Sequence, residues 1–512
     1  MLRYVTAVSG ATIVAGMLTV ADTEKLAAAG TTCEALRSFA VSGGRIDRAD
    51  PVAAGAFQAP GSRSAASGAF SKLPAFCRVA ATLTPSSDSD IKVEVWLPLS
   101  GWNNKLQAVG NGGWAGTIGY PALGNALAKG YAAVGTDTGH STEGASFALG
   151  HPEKFIDYSY RSEHEMTVAA KAIITRHYGT TPQRAYFNGC STGGRQALVE
   201  ASRYPDDFDG IIAGAAANPK AHLDAWRIWM AQAMFASPES AIPPAKHGVI
   251  HQAVLAACDA LDGAKDGLLE NPVACRFDPG TLQCQAGDSP ACLTSAQVKT
   301  ARTIMSPPKN RRGDIVFPTY EPGTELGWVR LLGGPDAYET AVDQYKYVVF
   351  SDPKWDWRTF DLDRDTAAGD AAGNGVLAGV NPDLTAFARH GGKLLTYHGW
   401  SDPSIAPQAS VNFYKSALAG TRPPASSPDW IRLFMVPGMG HCSGGDGPDT
   451  FDMVSALEAW VERGVPPAQI TASKIVNGAV QRTRPLCPFP QRARYRGTGS
   501  LDDAANFVCA PN

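Results

Sequence analysis

The chain has 512 residues, 44% of them hydrophobic and 18% charged, with a formal net charge of −3. That length accommodates a full catalytic domain with a large insertion or a second domain, and a pI near 6.4 leaves no basic footprint, which argues against a nucleic-acid partner. The 53 glycines and 36 prolines indicate many turns and long loops rather than a helical bundle.

The N-terminus reads as an export signal. Arg3 precedes an apolar stretch from Val5 to Ala21, and small residues at Ala21 and at Ala27 to Ala29 offer cleavage sites. Residues 1–29 are therefore taken as a signal peptide, and the protein as secreted or periplasmic. No other stretch is long and apolar enough to span a bilayer. The ten cysteines (Cys33, Cys77, Cys190, Cys258, Cys275, Cys284, Cys292, Cys442, Cys487 and Cys509) suit an oxidising compartment. The absence of any CxxC argues against a zinc ribbon or a thioredoxin-like redox site. Spacing alone leaves the pairing open, although Cys258 and Cys275, and Cys284 and Cys292, are local neighbours in one segment.

Strand-like runs then alternate with helical ones. IKVEVWLP (91–98), KLQAVG (105–110) and YAAVGTD (131–137) are short β-rich runs, and ALGNALAKG (122–130) forms a helix before the third. HEMTVAAKAIITRHYG (164–179) has apolar residues at helical spacing and closes on Gly179. RAYFNG (184–189), a helix over 193–205 and DGIIAGAA (209–216) follow. This β-α-β order predicts an α/β fold with a mainly parallel sheet covered on both faces. The rhythm stops near Asn218 and resumes with LTAFARHGG (384–392), KLLTYHG (393–399), a helix over 407–420, IRLFMVPG (431–438) and a helix over 450–464. Residues 30–218 and 383–512 thus make one catalytic domain, interrupted by a lid at 219–382.

Gly189-Cys190-Ser191-Thr192-Gly193 fits G-x-S-x-G between a predicted strand and a predicted helix, the context that motif requires. The sharp turn lifts the Ser191 hydroxyl above the sheet, and the Thr192 N–H beside the helix start suits a developing oxyanion. A serine nucleophile needs a base, and the base an orienting carboxylate. Two later strand ends supply them in the chain order of α/β-hydrolases: LLTYHGWSD ends at Asp402 and LFMVPGMGH at His441. His398, on the Asp402 strand end, is read as a pocket or supporting residue, and Asp137 and His140 as structural hydrogen-bonders. The Gly-rich run Gly110 to Trp114 is placed to supply a second oxyanion donor, with Gly113 the choice. Cys190 and Cys442 adjoin the candidate nucleophile and base, so a bridge between them would clamp the two together.

GCSTGGRQALVEASRYPDDFDGIIAGAAANP, YHGWSDP, VPGMGHCSGG and TRPLCPFPQRARYRGTG together resemble the tannase and feruloyl esterase family, which includes mono-hydroxyethyl terephthalate hydrolase; the similarity runs from Cys33 to Cys509. The resemblance implies an α/β-hydrolase fold with a large inserted lid, Ser191, Asp402 and His441 as triad, and Gly113 and Thr192 as oxyanion donors. It implies bridges Cys33–Cys77, Cys190–Cys442, Cys258–Cys275, Cys284–Cys292 and Cys487–Cys509. It also implies a structural calcium ion in the lid, on Asp259, Asp262 and Asp266 with the carbonyls of Ala264 and Leu268, and no organic cofactor. Three carboxylates in eight residues offer hard oxygen ligands, though not at EF-hand spacing. The implied substrate is a small aromatic ester of feruloyl type, with Trp226, Trp229 and His398 as substrate-binding candidates. Galloyl and terephthalate monoesters are the close alternatives, and no pocket for the latter is found in residues 325–350. A serine peptidase, which peptide substrates would reveal, or a binding protein that forms no acyl-enzyme are the more distant readings. Oligomeric state is not legible.

Overall fold

Successive residues of a strand face opposite sides of a sheet, and the apolar runs divide accordingly. In the computed structural model, which describes residues 1, 30–60, 68, 70–114, 116–424 and 429–511, one nine-stranded sheet forms the centre. Its strands are β1 (Gly44–Val52), β2 (Phe76–Leu83), β3 (Ile91–Pro98), β4 (Lys105–Val109), β5 (Ala132–Thr136), β6 (Arg184–Cys190), β7 (Gly210–Gly214), β8 (Lys393–Gly399) and β9 (Ile431–Val436). Val93, Val95, Leu106, Ala108, Ile211, Leu394 and Leu433 face one side, against Met166 and Ile173 of the helix Ser162–Tyr178 and Leu198 of the helix Thr192–Arg203. Trp96, Val109, Ile212, Leu395 and Val436 face the other, against Leu123 of the helix Tyr120–Ala128 and Leu457 and Trp460 of the helix Met453–Arg463. Both faces are covered, which is why the central strands read as nearly unbroken apolar runs. The export-signal reading falls, Met1 apart, outside the described residues, and no helix among them is long and apolar enough to cross a membrane.

The spatial order is β1-β2-β3-β5-β4-β6-β7-β8-β9. From β5 to β9 the neighbours are parallel, as the alternation predicts. The pairs β1–β2, β2–β3 and β3–β5 are antiparallel. The sequence reading begins at β3 and misses β1 and β2. β1 carries Arg45, Asp47, Arg48 and Asp50, the charge-rich signature of an edge strand rather than an apolar run. It also misses two C-terminal hairpins, β10 (Ile470–Val476) with β11 (Ala479–Leu486) and β12 (Arg492–Tyr495) with β13 (Phe507–Ala510). The first had a local signal: Asn477-Gly478, with φ of 51° and 78°, is the two-residue turn that left-handed backbone favours.

The predicted lid lies between β7 and β8. The β-α rhythm stops there, and the segment contains the helices Lys220–Met234, Pro244–Cys258, Ser295–Ile304 and Leu362–Ala371. The first three enclose a core of Leu223, Trp226, Met230, Ile250, Val254 and Val298, which Trp328 joins. Ile405, Ala406 and Ala409, which follow β8, belong to that same core, so the lid packs directly onto the loop that carries Asp402.

Candidate active site

Ser191 sits between the end of β6 and the helix Thr192–Arg203, with φ 66° and ψ −121°. A serine rarely adopts that backbone, and the strain is held by close packing around it. A Cβ on Gly189 would lie 2.4 Å from the Gly193 carbonyl, and one on Gly110 would lie 2.6 Å from the Gly193 Cα. Only glycine lets these three segments approach so closely. The Gly193 N–H donates to the Asn111 carbonyl (2.8 Å), and the Asn111 N–H to Gln196 Oε1 (2.9 Å), which ties the Gly-rich loop to the first turns of the helix.

The three candidate catalytic side chains meet as one hydrogen-bonded chain. Ser191 Oγ donates to His441 Nε2 at 2.9 Å, and His441 Nδ1 donates to Asp402 Oδ2 at 2.7 Å. Asp402 has no exposure at all, whereas 13% of the His441 side chain reaches solvent. Burial, the largest influence on Asp402, opposes its ionisation. The charge of His441 and hydrogen bonds from His398 and His441 together outweigh it and hold the carboxyl far below the usual range. Asp402 is therefore ionised at neutral pH, and an acceptor-only carboxylate fixes the His441 tautomer with its proton on Nδ1.

Around Asp402 the structure shows more support than the supporting role that the sequence reading offered for His398. Oδ1 accepts from the N–H groups of Ser404 (2.7 Å) and Ile405 (3.1 Å). His398 donates from Nε2 to Oδ2 (2.9 Å), while its Nδ1 accepts from Ser410 Oγ (2.8 Å). His398 is wholly buried and faces Asp402, so it supports the triad and does not bind substrate, which corrects the substrate-binding expectation. Its spacing of four from Asp402 on a strand end was the available signal. Arg227, from the lid helix Lys220–Met234, donates from Nε and Nη2 to the Ser404 carbonyl (3.2 and 2.8 Å) and from Nη1 to Asp224 (2.9 Å). Its guanidinium is spent on the Asp402 loop and is not free to meet a substrate carboxylate.

The oxyanion candidates lie on anchored backbone. The Gly113 carbonyl accepts from Tyr158 Oη (2.7 Å) and from Thr192 Oγ1 (2.9 Å), and Gly113 has φ 57°. Thr192 is the first residue of its helix, where N–H groups have no intrahelical acceptor. Asp137 and His140 have other hydrogen-bond and stacking partners than the triad. Asp137 accepts from the N–H groups of Lys92 and Gly139, and His140 stacks on Phe147 at 3.7 Å. Burial pushes Asp137 up to about 7 and draws His140 down to about 4.

The lid tryptophans belong to packing. Trp226 is fully buried, edge-on to Tyr320 at 5.0 Å, with Nε1 donating to Thr319 Oγ1 at 3.4 Å. A ring closed off in this way cannot touch a substrate, so that expectation is also corrected. Trp229 is half-buried against the same core.

All ten cysteines are paired as the family resemblance implied: Cys33–Cys77, Cys190–Cys442, Cys258–Cys275, Cys284–Cys292 and Cys487–Cys509. Cys190–Cys442 joins residues 252 apart and brings their Cα atoms to 6.1 Å, directly beside Ser191 and His441.

In the acidic loop, Asp259 accepts from the N–H groups of Asp266 and Gly267, and Asp262 from those of Ala264 and Glu270. Asp266 accepts from the Leu268 N–H and pairs with Arg484. Among the described residues, no group of three acidic, histidine or cysteine side chains is placed to hold a metal ion. The donor chemistry nonetheless suits a hard cation. Burial chiefly raises the Asp262 pKa, and the charges of Asp266 and Asp259 push it the same way, a repulsion that a divalent ion would relieve.

Two outcomes follow from this geometry. His398→Phe removes a hydrogen bond to a buried charge and is expected to lower kcat on a model ester roughly tenfold with little change in KM, and His398→Gln to recover part of the loss. Unchanged kcat in a folded His398→Phe would remove His398 from the machinery. Opening Cys190–Cys442, as in Cys190→Ser/Cys442→Ser, is expected to lower turnover while near-ultraviolet circular dichroism stays native. Full activity in that variant would show that the clamp is dispensable.

The comparisons with known proteins agree with this arrangement. The family model described as "Tannase and feruloyl esterase" matches residues 77–510. An uncharacterised esterase of Xanthomonas campestris is 37% identical over 94% of this chain and 92% of its own. A probable feruloyl esterase B-2 of Aspergillus terreus is 35% identical over 85% of this chain and 86% of its own. The crystal structure of feruloyl esterase B from Aspergillus oryzae superposes with a TM-score of 0.87 at 32% identity, covering 93% of this chain and 99% of that one. On fold, site and relatives alike, the chain belongs to the tannase and feruloyl esterase family and is a carboxylic ester hydrolase with an α/β-hydrolase fold.

Proposed function

We propose that the protein is an exported serine esterase for small aromatic acid esters, feruloyl esterase-like, with Ser191, His441 and Asp402 as its triad. The observation that carries this reading is the continuous chain from Ser191 Oγ through His441 to a fully buried Asp402. In the first half-reaction Ser191 Oγ attacks the ester carbonyl carbon while its proton passes to His441 Nε2. The oxyanion is held by the N–H groups of Gly113 and Thr192. Collapse expels the alcohol, which takes the proton from Nε2 and leaves an acyl-serine. Water, deprotonated by Nε2, then attacks the acyl carbon and releases the carboxylic acid, and the proton returns to Ser191 Oγ. Asp402 holds the imidazole and stabilises its cation throughout.

Feruloyl esterases among the relatives favour an aromatic acyl group, and the commitment of Arg227 to Ser404 and Asp224 disfavours an acyl group with a second carboxylate. Ten cysteines in five bridges favour an oxidising compartment outside the cytosol. Ser191→Ala is expected to abolish turnover and acyl-enzyme formation with the fold intact. Wild-type protein is expected to show higher kcat/KM on methyl hydroxycinnamates or methyl gallate than on the mono-hydroxyethyl terephthalate ester. Activity in Ser191→Ala would overturn the triad, and a tenfold preference for the terephthalate monoester would overturn the substrate class.

We also propose that Asp259, Asp262 and Asp266, with the carbonyls of Ala264 and Leu268, hold a structural calcium ion. Leu268 packs against Gly438, three residues before His441, so an ordered acidic loop would steady the loop that carries the base. Chelation is expected to lower the Tm: at calcium 100-fold above Kd, binding contributes about 2.7 kcal/mol. A melting curve unaltered by verified metal removal would overturn the site.

A further inference from the structure

One flank of the helix Thr192–Arg203 borders a cavity of about 180 Å³ whose wall has no acidic side chain. Arg195, Val199, Ser202 and Arg203 line it from the helix at spacings of four, three and one, and Ser159 and Tyr160 line it from the π-helical turn Asp157–Arg161. Val376, on the facing loop, completes the part that matters here.

Two polar side chains in this wall, Arg195 and Ser159, have buried groups without a partner. Arg195 is 3% exposed, forms no ion pair among the described residues, and donates only from Nη2 to the Val376 carbonyl at 3.3 Å; its Nη1 is buried with no acceptor. Ser159 is 1% exposed, and its hydroxyl is likewise buried without a partner. Glu163 is the carboxylate whose charge reaches Arg195, but its oxygens accept from Gln196 Nε2 and from Ser162 Oγ. Arg203, exposed, lies with its guanidinium 4.1 Å from the Tyr160 ring centroid. Burial lowers the pKa of Arg195, as expected of a cation short of counter-charge.

A buried guanidinium left without a counter-charge carries a desolvation cost, and a buried hydroxyl without a partner adds to it. An anion with oxygens on more than one side would meet both. We propose that this cavity is a binding site for a small oxoanion, a phosphate-like or carboxylate group, held by Arg195 and Ser159 with Arg203 adding charge at its exposed side. The site is separate from the triad and does not rest on the esterase reading. Arg195 and Ser191 share one helical turn, the Arg195 N–H donating to the Ser191 carbonyl at 3.0 Å, but the guanidinium leaves toward the cavity.

The test is calorimetric titration of the whole protein with inorganic phosphate and, separately, acetate, at fixed pH and with sodium chloride holding ionic strength constant. Saturable binding of either anion is expected, weakened roughly tenfold in Arg203→Ala, as loss of a charged hydrogen-bond donor implies, and lost in Arg195→Met and Ser159→Ala/Arg203→Ala. The phosphate and acetate arms tell the two ligand classes apart. Should Arg195→Met fail to fold, Arg203→Ala carries the test, since its side chain is exposed. Heats no different from those of added chloride would mean that the cavity holds only water and would overturn the proposal. So would binding that Arg203→Ala and the double variant leave unchanged, because the anion would then sit elsewhere.

Discussion

A carboxylate with no exposure to water is tolerated only when donors replace its hydration shell. Asp402 has four: the N–H groups of Ser404 and Ile405 on one oxygen, and His398 and His441 on the other. Much of the surrounding architecture serves that requirement. The lid helix sends Arg227 to the Ser404 carbonyl, Tyr320 donates to the Pro403 carbonyl at 2.8 Å, and Ile405 and Ala406 close the lid core. Arg227 in turn is balanced by Asp224, and Asp224 by Lys220. The inserted segment is thus part of the scaffold that holds the Asp402 carboxylate against His441.

The proposed nucleophile and base face a different constraint. Ser191 and His441 come from the ends of β6 and of the strand three positions along the sheet, and 250 residues separate them in sequence. Parallel strands that end on the same side bring such loops together without fixing their distance to a hydrogen bond. Ser191 and Cys442 both have positive φ, 66° and 61°, so each loop holds an unfavourable backbone conformation. The Cys190–Cys442 bridge ties Cys442 to the residue just before Ser191, and the Gly110, Gly189 and Gly193 contacts leave the Ser191 turn no room to relax.

Selectivity is left to a limited set of groups. Trp226 and Trp328, two of the five lid tryptophans, are consumed by the lid's own core, and Arg227 by the Asp402 loop. Aromatic content in a lid therefore does not translate into an aromatic pocket, because the first use of a large apolar side chain is to stabilise the element that carries it.

Local order was legible in the sequence. The strand-turn-helix context of Gly189 to Gly193, the strand ends at Asp402 and His441, the parallel half of the sheet and its covering helices all follow from periodicity and turn chemistry, which act over a few residues. The charged edge strand β1 and the lid helices were not legible, because an edge strand needs no apolar face and the lid's apolar residues are shared among short elements. Whether His398 met solvent or Asp402, whether Trp226 lined a pocket or a core, and whether Arg227 was free or spent depended on neighbours far away in the chain. Those questions only the tertiary structure decided, since burial and hydrogen-bond partnership belong to the packed molecule. Sequence by itself determined which residues could do the chemistry; packing determined which were free to do it.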